Sequence, residues 1–436
     1  MDFALEQTLG YLSEEEKRKL LAALEGQVEL RACLLNPAKI SPQQFLLEHP
    51  HAQKHPFVAG AFLYDKKEYD LGKSLLHEVG ALYIQDPAAM MPVYFLGVKQ
   101  GDKVIDLCAA PGGKSIDAAL LSGPSGLVVS NDISYPRAKE LSGNIERLGL
   151  GNVIVTSVPP SKLASLYPGY FDKVILDAPC SGSAMFRKLQ RAKEDWTLEK
   201  VKACAKLQQD LLEQAYALLR PGGALVYSTC SFSSEENEEV ALSFLAAHPD
   251  MEARLLPDHP SFYKSAACPA GIHLFPHRFP GEGQFLLVFE KQGEQKPLVH
   301  KAKKTDPKLG AYQETLRRYA LEGRCAALRG STLYSLPFYF DADRLSVLRY
   351  GLAVTDGEDK SSAPDFALSR YLPVSMSIPL NKEQAEKYLL GESFPLKGEE
   401  GFQLVSYRGY NLGFVKLVKG MGKNHFPKGR RRRYLL

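Results

Sequence analysis

Between Gly101 and Ser228 the chain alternates short apolar-rich runs with longer stretches in which apolar residues recur at helical spacing. Runs of this kind are typical of parallel strands that are buried on both faces. Strands that alternate with helices predict an α/β fold with a parallel sheet and right-handed crossovers. The predicted strands are 103–108, 127–130, 153–155, 173–176 and 224–228, and the predicted helices are 115–121, 137–148 and 198–219, the last ended by Gly222 and Gly223.

The segments on either side of this alternating region have other patterns. Residues 1–95 predict a mainly helical lead-in, in which Ser13 opens one helix, although 45–72 is rich in His, Pro and Gly and is predicted to be irregular. A lysine-rich stretch further on predicts a linker, and a strand-like run at 333–340 precedes a polar break at 356–362. We therefore predict five regions: a lead-in 1–95, a catalytic domain 96–292, a basic linker 293–310, a small intermediate domain 311–371 and a small β-domain with a basic tail 372–436.

Composition narrows the class of protein. The chain has 436 residues, of which 45% are hydrophobic and 24% charged, and its net charge is +4, as in an ordinary soluble protein of several domains. No apolar run is long enough to span a membrane, and the start lacks the basic-then-apolar order of a signal peptide. The seven cysteines form no CxxC pair and no Cys/His cluster with zinc spacing. We therefore expect a reduced, cytoplasmic protein with free thiols and no metal.

The first candidate binding feature is the small-residue turn 109–115 after the first strand. Such a turn offers main-chain N–H groups and a helix N-terminus to a carboxylate or another anion. It is neither a GxGxxG fingerprint nor a P-loop, which disfavours dinucleotides and ATP. Asp132 follows the second strand and suits a ribose diol. Each feature alone is also explained by a tight turn or a helix cap, but together they suggest a nucleoside-bearing cofactor with a carboxylate, such as S-adenosylmethionine.

The second candidate feature is a pair of cysteines at neighbouring strand ends. Asp177 and Cys180 follow the fourth strand, and Cys230 follows the fifth, so that all three are expected at one edge of the sheet. A single cysteine is often plain core. Two thiols and a carboxylate beside a cofactor site are harder to explain by packing, and a thiol near helix N-termini becomes a usable nucleophile.

Three motifs carry a resemblance to a known family: 106–114 (DLCAAPGGK), 177–182 (DAPCSG) and 228–231 (STCS). In type and order they resemble the signatures of the NOL/NOP/Sun family of RNA 5-methylcytosine methyltransferases. Segments 80–90, 186–196 and 275–285, with the chain end, are most similar to its bacterial RsmF subgroup. The resemblance implies an α/β, Rossmann-like class I S-adenosylmethionine-dependent methyltransferase fold. A helical or mixed N-terminal RNA-binding lead-in would precede it, and a mixed α+β C-terminal region would end in a small PUA-like β-barrel.

The resemblance also implies a role for each matching residue. Cys230 would add to carbon 6 of a flipped-out cytosine, Asp177 would hold the base and border the cofactor, and Cys180 would assist proton loss and release. Asp132 would hold the ribose of S-adenosylmethionine. The methionine part would be wrapped by Cys108, Ala109, Ala110, Pro111, Gly112, Gly113 and Lys114. The expected RNA contacts are Arg187, Lys188, Lys423, Lys428, Arg430 and Arg431.

The expected substrate is 16S ribosomal RNA, in the 30S subunit or its precursor, bound by a monomer. The alternatives are transfer RNA, a catalytically idle RNA-binding assembly factor, and an exchange of roles between Cys180 and Cys230. The family commonly has an acid near the adenine, and the corresponding stretch 156–160 has none. The basic tail is either an RNA surface, with Phe414, His425 and Phe426 interleaved, or a solvated end.

Overall fold

The computed structural model describes residues 3–26, 30–294, 307–356 and 363–436. Its first region combines helices with a four-stranded antiparallel sheet in the order β2-β3-β1-β4. The prediction that 45–72 is irregular is wrong, because Ala61–Asp65 pairs residue by residue with the first strand. This apolar run is short and lies among glycines and charged residues, which hid it. The elements are α1 Phe3–Gln7, α2 Glu14–Glu25, β1 Leu30–Leu35, α3 Pro42–Glu48, β2 Gln53–Lys54, β3 Ala61–Asp65, α4 Leu75–Glu78, β4 Leu82–Gln85 and α5 Met91–Leu96.

The predicted parallel sheet forms the centre of the protein, and the α/β prediction is confirmed. Its order is β10-β12-β9-β8-β5-β6-β7-β15, and β5 to β9 run parallel. Helices cover both faces, which explains why the central positions of the strands are apolar. The elements are β5 Lys103–Asp106, α6 Gly113–Ser122, β6 Leu127–Asn131, α7 Tyr135–Leu148, β7 Val153–Thr156, α8 Pro160–Leu166, β8 Phe171–Asp177, α9 Gln190–Glu194, α10 Leu198–Leu218, β9 Leu219–Thr229, α11 Glu238–Ala247, β10 Met251–Ala253, β11 Ile272–Leu274, β12 Gln284–Lys291 and β15 Val347–Tyr350.

The fifth parallel strand starts earlier than predicted. We expected Gly222 and Gly223 to end the preceding helix, but α10 ends at Leu218, and β9 begins at the next residue. Pairing with β8 draws Leu219 into the sheet opposite Phe171, and the register shifts before Ala224. Gly222 and Gly223 therefore lie within β9, in its first, irregularly paired part.

The region 311–371 is not separate from the catalytic domain. Its strand β15 adds to the edge of the central sheet, antiparallel to β7. The other strands form a small sheet in the order β13-β14-β16-β17, and the strand-like run at 333–340 is reduced to β14. Most of the predicted basic linker, 295–306, and of the polar break, 357–362, lie outside the described residues. The elements are α12 Gln313–Arg318, β13 Cys325–Arg329, β14 Thr332–Leu336, β16 Leu352–Asp356, β17 Ala363–Pro364 and α13 Phe366–Tyr371.

The C-terminal region is a curled five-stranded sheet in the order β18-β20-β21-β22-β19, as the PUA-like prediction requires. The prediction that Phe414 and Phe426 are interleaved on an RNA surface is wrong, because both rings are buried in the core, whereas His425 is exposed. The chain end returns to the first region, where Leu435 exchanges main-chain hydrogen bonds with Lys73 and Leu75. The elements are β18 Ile378–Pro379, α14 Lys382–Leu390, β19 Phe394–Pro395, β20 Gly401–Tyr407, β21 Tyr410–Val418 and β22 Met421–Asn424.

Candidate active site

The predicted site residues meet where β5, β6, β8 and β9 end. Asp177 is the last residue of β8, and in the parallel register it lies opposite Ser228 of β9. Cys180 and Cys230 follow these two strands on loops. The topology thus brings the carboxylate and both thiols to one edge of the sheet, which is where ligands bind in such folds.

Three side chains hold the Asp177 carboxylate. The Ser228 hydroxyl donates to its Oδ1 at 2.7 Å, and the Gln284 amide donates to the same oxygen at 2.9 Å. The Lys114 ammonium lies 2.9 Å from Oδ2. Burial, the largest single influence, would lower the pKa of Lys114, but the charge and hydrogen bond of Asp177 together with the charges of Asp106 and Asp117 raise it. The carboxylate is therefore oriented from two sides beside a fixed positive charge.

The two predicted catalytic thiols are in contact. The Cys180 and Cys230 sulfur atoms lie 3.0 Å apart, and both residues are partly exposed. The hydrogen bond to Cys230 and burial raise the pKa of Cys180 well above its ordinary value, and the charges of Glu236 and Asp177 add to this. Cys180 is therefore held as a thiol, which can act as a proton donor.

The glycine-rich turn forms an anion-binding helix start. The first intrahelical bond of α6 runs from the Ile116 N–H to the Gly112 carbonyl, so the N–H groups before Ile116 lie outside the helical ladder. A Cβ on Gly112, whose φ is 122°, would lie 2.8 Å from Leu141 Cδ1. A Cβ on Gly113 would lie 2.8 Å from Gln85 Cδ. Gly112 therefore has a backbone conformation that favours glycine, a Cβ on Gly113 would displace the Gln85 amide, and the exposed N–H groups suit the carboxylate of S-adenosylmethionine.

Buried acids surround this turn. Asp132 accepts main-chain hydrogen bonds from Ala110 at 3.3 Å and Ser134 at 3.0 Å, which place its carboxylate next to the turn, where the ribose was predicted. Asp106 accepts from the Ser115 hydroxyl at 2.7 Å, and its other oxygen has no partner among the described residues. Burial raises the pKa of Asp106 to about 7. The hydrogen-bond acceptors on these acids therefore fit the ammonium group of an amino acid and the hydroxyl groups of a ribose.

The stretch that lacks the adenine-side acid is organised by a residue that sequence reasoning missed. The Asn131 amide oxygen accepts from the Thr156 hydroxyl at 2.9 Å and from the Val158 N–H at 3.1 Å. Its NH₂ group donates to the Val158 carbonyl at 3.0 Å. Asn131 thus fixes the loop after β7. Gln284 was missed as well, because only the antiparallel pairing of β12 with β9 brings it near Asp177.

The predicted RNA contacts divide into two groups. Lys188, Lys423 and Lys428 are exposed. The other three are bound inside the protein: Arg187 by Glu282 at 3.2 Å, Arg430 by Glu146 at 3.1 Å, and Arg431 by the Phe426 carbonyl at 3.1 Å. Their guanidinium groups already serve intramolecular partners, which conflicts with the prediction that they contact phosphates.

The parts of the chain that the structure describes contain neither a membrane-spanning helix nor a metal-binding cluster. In these ranges no helix is both long and apolar enough to cross a membrane. The same ranges contain no group of three or more His, Cys, Asp and Glu side chains that could hold a metal ion.

The chain is similar in sequence and fold to known proteins. A family model described as 16S rRNA methyltransferase RsmB/F matches residues 93–290, and a model described as methyltransferase RsmF PUA domain matches 375–432. The ribosomal RNA small subunit methyltransferase F of Shewanella loihica is 30% identical over 384 residues, covering 82% of this chain and 79% of that protein. A solved methyltransferase homologue from Pyrococcus horikoshii is 30% identical, with a TM-score of 0.58, covering 65% of this chain and 93% of that one. NSun6 from Pyrococcus horikoshii, solved with SFG, shares the fold at 22% identity, with a TM-score of 0.59, covering 67% of this chain and 99% of that one.

Proposed function

Since the chain belongs to the RsmB/F family of RNA cytosine-5 methyltransferases, which use S-adenosylmethionine, we propose that it methylates 16S ribosomal RNA through a covalent cysteine adduct. The observation that carries the proposal is the contact between the Cys180 and Cys230 sulfur atoms, 3.0 Å apart, at the strand ends that also hold Asp177. Carbon 5 of cytosine is a poor nucleophile, and the addition of a thiolate to carbon 6 makes it reactive. S-adenosylmethionine supplies an electrophilic methyl group when bound.

In the proposed reaction the Cys230 thiolate forms a bond to carbon 6, and the proton that Cys230 gives up passes to ring nitrogen 3 of the base through the Asp177 carboxyl group. The π electrons of the carbon 5–carbon 6 double bond shift to a carbon 4–carbon 5 double bond as nitrogen 3 takes this proton, and Asp177 also accepts a hydrogen bond from the amino group of the base. Carbon 5 then takes the methyl group, and nitrogen 3 returns its proton to Asp177. Loss of the carbon 5 proton to a base restores the double bond as the carbon–sulfur bond breaks and its electron pair returns to Cys230. The Cys180 thiol, 3.0 Å away, donates to the departing sulfur.

Access to such a site sets the form of the substrate. A cytosine in a helix cannot reach a crevice at strand ends, so the target lies in a loop or another single-stranded segment and is turned out of its stack. The exposed Lys188, Lys423 and Lys428 are the proposed phosphate contacts. Because one chain supplies every residue of the site, we propose that the enzyme acts as a monomer. Its proposed substrate is the 30S subunit or its precursor, in the cytoplasm.

The experiment that tests this proposal is bisulfite sequencing of total RNA from a strain without this gene. Cytosines that resist conversion in the parent strain should become convertible in 16S ribosomal RNA, and the wild-type gene should restore their resistance. A gene carrying Cys230→Ala should not restore it. If the sensitive cytosines lie in transfer RNA, the substrate is transfer RNA, and if none changes, the proposed activity is wrong.

A further inference from the structure

A buried carboxylate lies beneath the two thiols. Glu236 lies two residues before α11, and its side chain is fully buried and turns toward the cysteine loops. Its Oε2 accepts from the Ser181 N–H at 2.8 Å and from the Gln208 amide at 3.0 Å. Its Oε1 accepts from the Ser231 hydroxyl at 2.6 Å and from the Ser181 hydroxyl.

These partners fix the positions of both cysteines. Ser181 directly follows Cys180, and Ser231 directly follows Cys230, so one carboxylate joins the loop after β8 to the loop after β9. Gln208 also donates to the carbonyl of the residue before Cys180, at 2.9 Å, which ties the same loop to α10. The two serine hydroxyl oxygens lie 3.1 Å apart. The residues 178–182 and 230–233 carry no helix or strand of their own, so this network, together with the hydrogen bond from the Ala184 N–H to the Cys230 carbonyl at 3.0 Å, helps to set where the sulfur atoms lie.

Hydrogen bonds, and not a cation, stabilise this carboxylate. Within the described ranges no Lys, Arg or His forms an ion pair with Glu236, whereas four groups donate to it. A carboxylate that accepts several hydrogen bonds stays charged even when it is buried. Its negative charge is close enough to Cys180 to contribute, after the Cys230 hydrogen bond and burial, to the raised pKa of that thiol.

We propose that Glu236 is a positioning residue that holds Cys180 and Cys230 in contact and sets which of the two thiols adds to the base. This inference rests on the two-cysteine reaction proposed above. Glu236 touches neither substrate nor cofactor in this scheme, and it acts through the two serines.

The test compares Glu236→Gln, which removes the charge at constant size, with Glu236→Asp, which keeps the charge but shortens the side chain. Glu239→Gln is the matched control, because it makes the same change on an exposed residue of α11, the helix that starts two residues after Glu236. For each variant, iodoacetamide labelling of Cys180 and Cys230 is followed against pH by mass spectrometry without RNA. Methyl transfer to 16S ribosomal RNA and calorimetric binding of S-adenosylmethionine are measured in parallel.

We expect Glu236→Gln to label Cys180 at lower pH than the wild type does and to lose about 100-fold in methyl transfer, the usual cost of misplaced reacting groups. Cofactor affinity should stay unchanged. Glu236→Asp should lose turnover but keep the wild-type pH profile of Cys180. The inference is overturned if Glu236→Gln has the labelling profile and turnover of Glu239→Gln. If Glu236→Gln does not fold, full turnover in Glu236→Asp overturns it and reduced turnover with an unchanged profile supports it.

The same experiment separates this inference from the proposed reaction. Methyl transfer by Cys230→Ala would disprove the reaction. The labelling profile would still show whether Glu236 controls the two thiols, because alkylation requires neither RNA nor cofactor.

Discussion

The crevice at the strand ends and the C-terminal tail each hold a cluster of charged groups, but the two clusters are satisfied differently. In the crevice, Asp177 pairs with Lys114, and about a third of its side chain, 35%, stays exposed to an incoming ligand. At the tail, Glu78 is 3% exposed and is reached by Arg370, Arg430 and the Tyr434 hydroxyl. The first cluster is open and can serve chemistry, whereas the second is closed and joins three regions of the chain.

The largest predicted effect lies in the open cluster. Cys180→Ala should still form the adduct and transfer the methyl group, but release should be slow, because the thiol that donates to the departing sulfur is gone. Enzyme should therefore accumulate on methylated RNA as a band that survives a denaturing gel. Cys230→Ala should abolish methyl transfer and show no band, with cofactor affinity nearly intact by calorimetry.

The double variant and the reverse outcome complete this experiment. Cys180→Ala with Cys230→Ala should behave like Cys230→Ala alone. If Cys230→Ala traps RNA and Cys180→Ala does not, the roles are exchanged. If neither traps RNA, Cys180 only packs beneath the strand end, and its loss should cost about 1 kcal/mol of stability.

The closed cluster predicts an effect on stability instead. Ending the chain after Gly429 removes Arg430, Tyr434 and the main-chain pairing of Leu435, and it leaves Glu78 buried with Arg370 alone. Breaking one side of a buried ionic network costs about 3 kcal/mol, so we expect a clearly lower midpoint of thermal unfolding. Arg433→Ala is the control, since this residue is exposed. An unchanged midpoint in the shortened chain would mean that the tail is a solvated end.

The sequence alone predicts the parallel strands around the crevice, but not the elements that join distant parts of the chain. Parallel strands buried on both faces leave an apolar run in the sequence, so β5 to β8 were located to within about two residues, and the motifs at their ends lie where expected. The strands β12 and β15 join the sheet through antiparallel pairing with distant segments, and no local pattern specifies such partners. Gln284 was therefore missed.

The same reason explains the errors in the basic tail. A run of arginines has the same local pattern whether it faces RNA or the protein's own acids. The partners of Arg430 lie in α4 and α7, about 350 and about 280 residues earlier in the chain. Phe414 and Phe426 were assigned to a surface because they stand among lysines, but the curled sheet turns both rings inward. Charge alone does not show which side of a strand is buried.

A smaller effect concerns how the free energy of unfolding depends on pH through His77, which lies beside the tail cluster. Burial, and then the charges of Arg147, Arg432 and Arg430, lower the pKa of His77 to about 3. In the unfolded chain His77 binds a proton near pH 6.5, whereas in the folded chain it stays neutral until about pH 3. The full free energy of unfolding is therefore present above pH 6.5, and it decreases as the pH falls toward 3. At pH 5 the loss is about 2 kcal/mol. His77→Gln should therefore reduce the fall in the free energy of unfolding between pH 7 and pH 5, as measured by urea denaturation. An equal fall in both proteins would mean that His77 is not the group whose protonation destabilises the fold.

The smallest predicted effect concerns Lys423, which forms no ion pair with an acid among the residues that the structure describes. Lys423 is exposed on β22, and in the register of the sheet it lies opposite Lys416, whose ammonium is 5.5 Å from the Phe402 ring centre. Each phosphate contact releases counterions, so Lys423→Ala should weaken RNA binding and reduce the slope of log affinity against log salt by about one unit. Thermal stability should not change, because no hydrogen bond or ion pair within the described residues uses this side chain. Filter binding at several salt concentrations measures the slope, with the exposed Lys202 of α10, changed to Ala, as control.

Arg430→Gln should show the converse, a lower unfolding midpoint with an unchanged slope, because its guanidinium is held by Glu146. If Arg430→Gln reduces the slope and Lys423→Ala does not, the tail cluster opens to bind RNA, and the contrast between the open crevice and the closed tail fails.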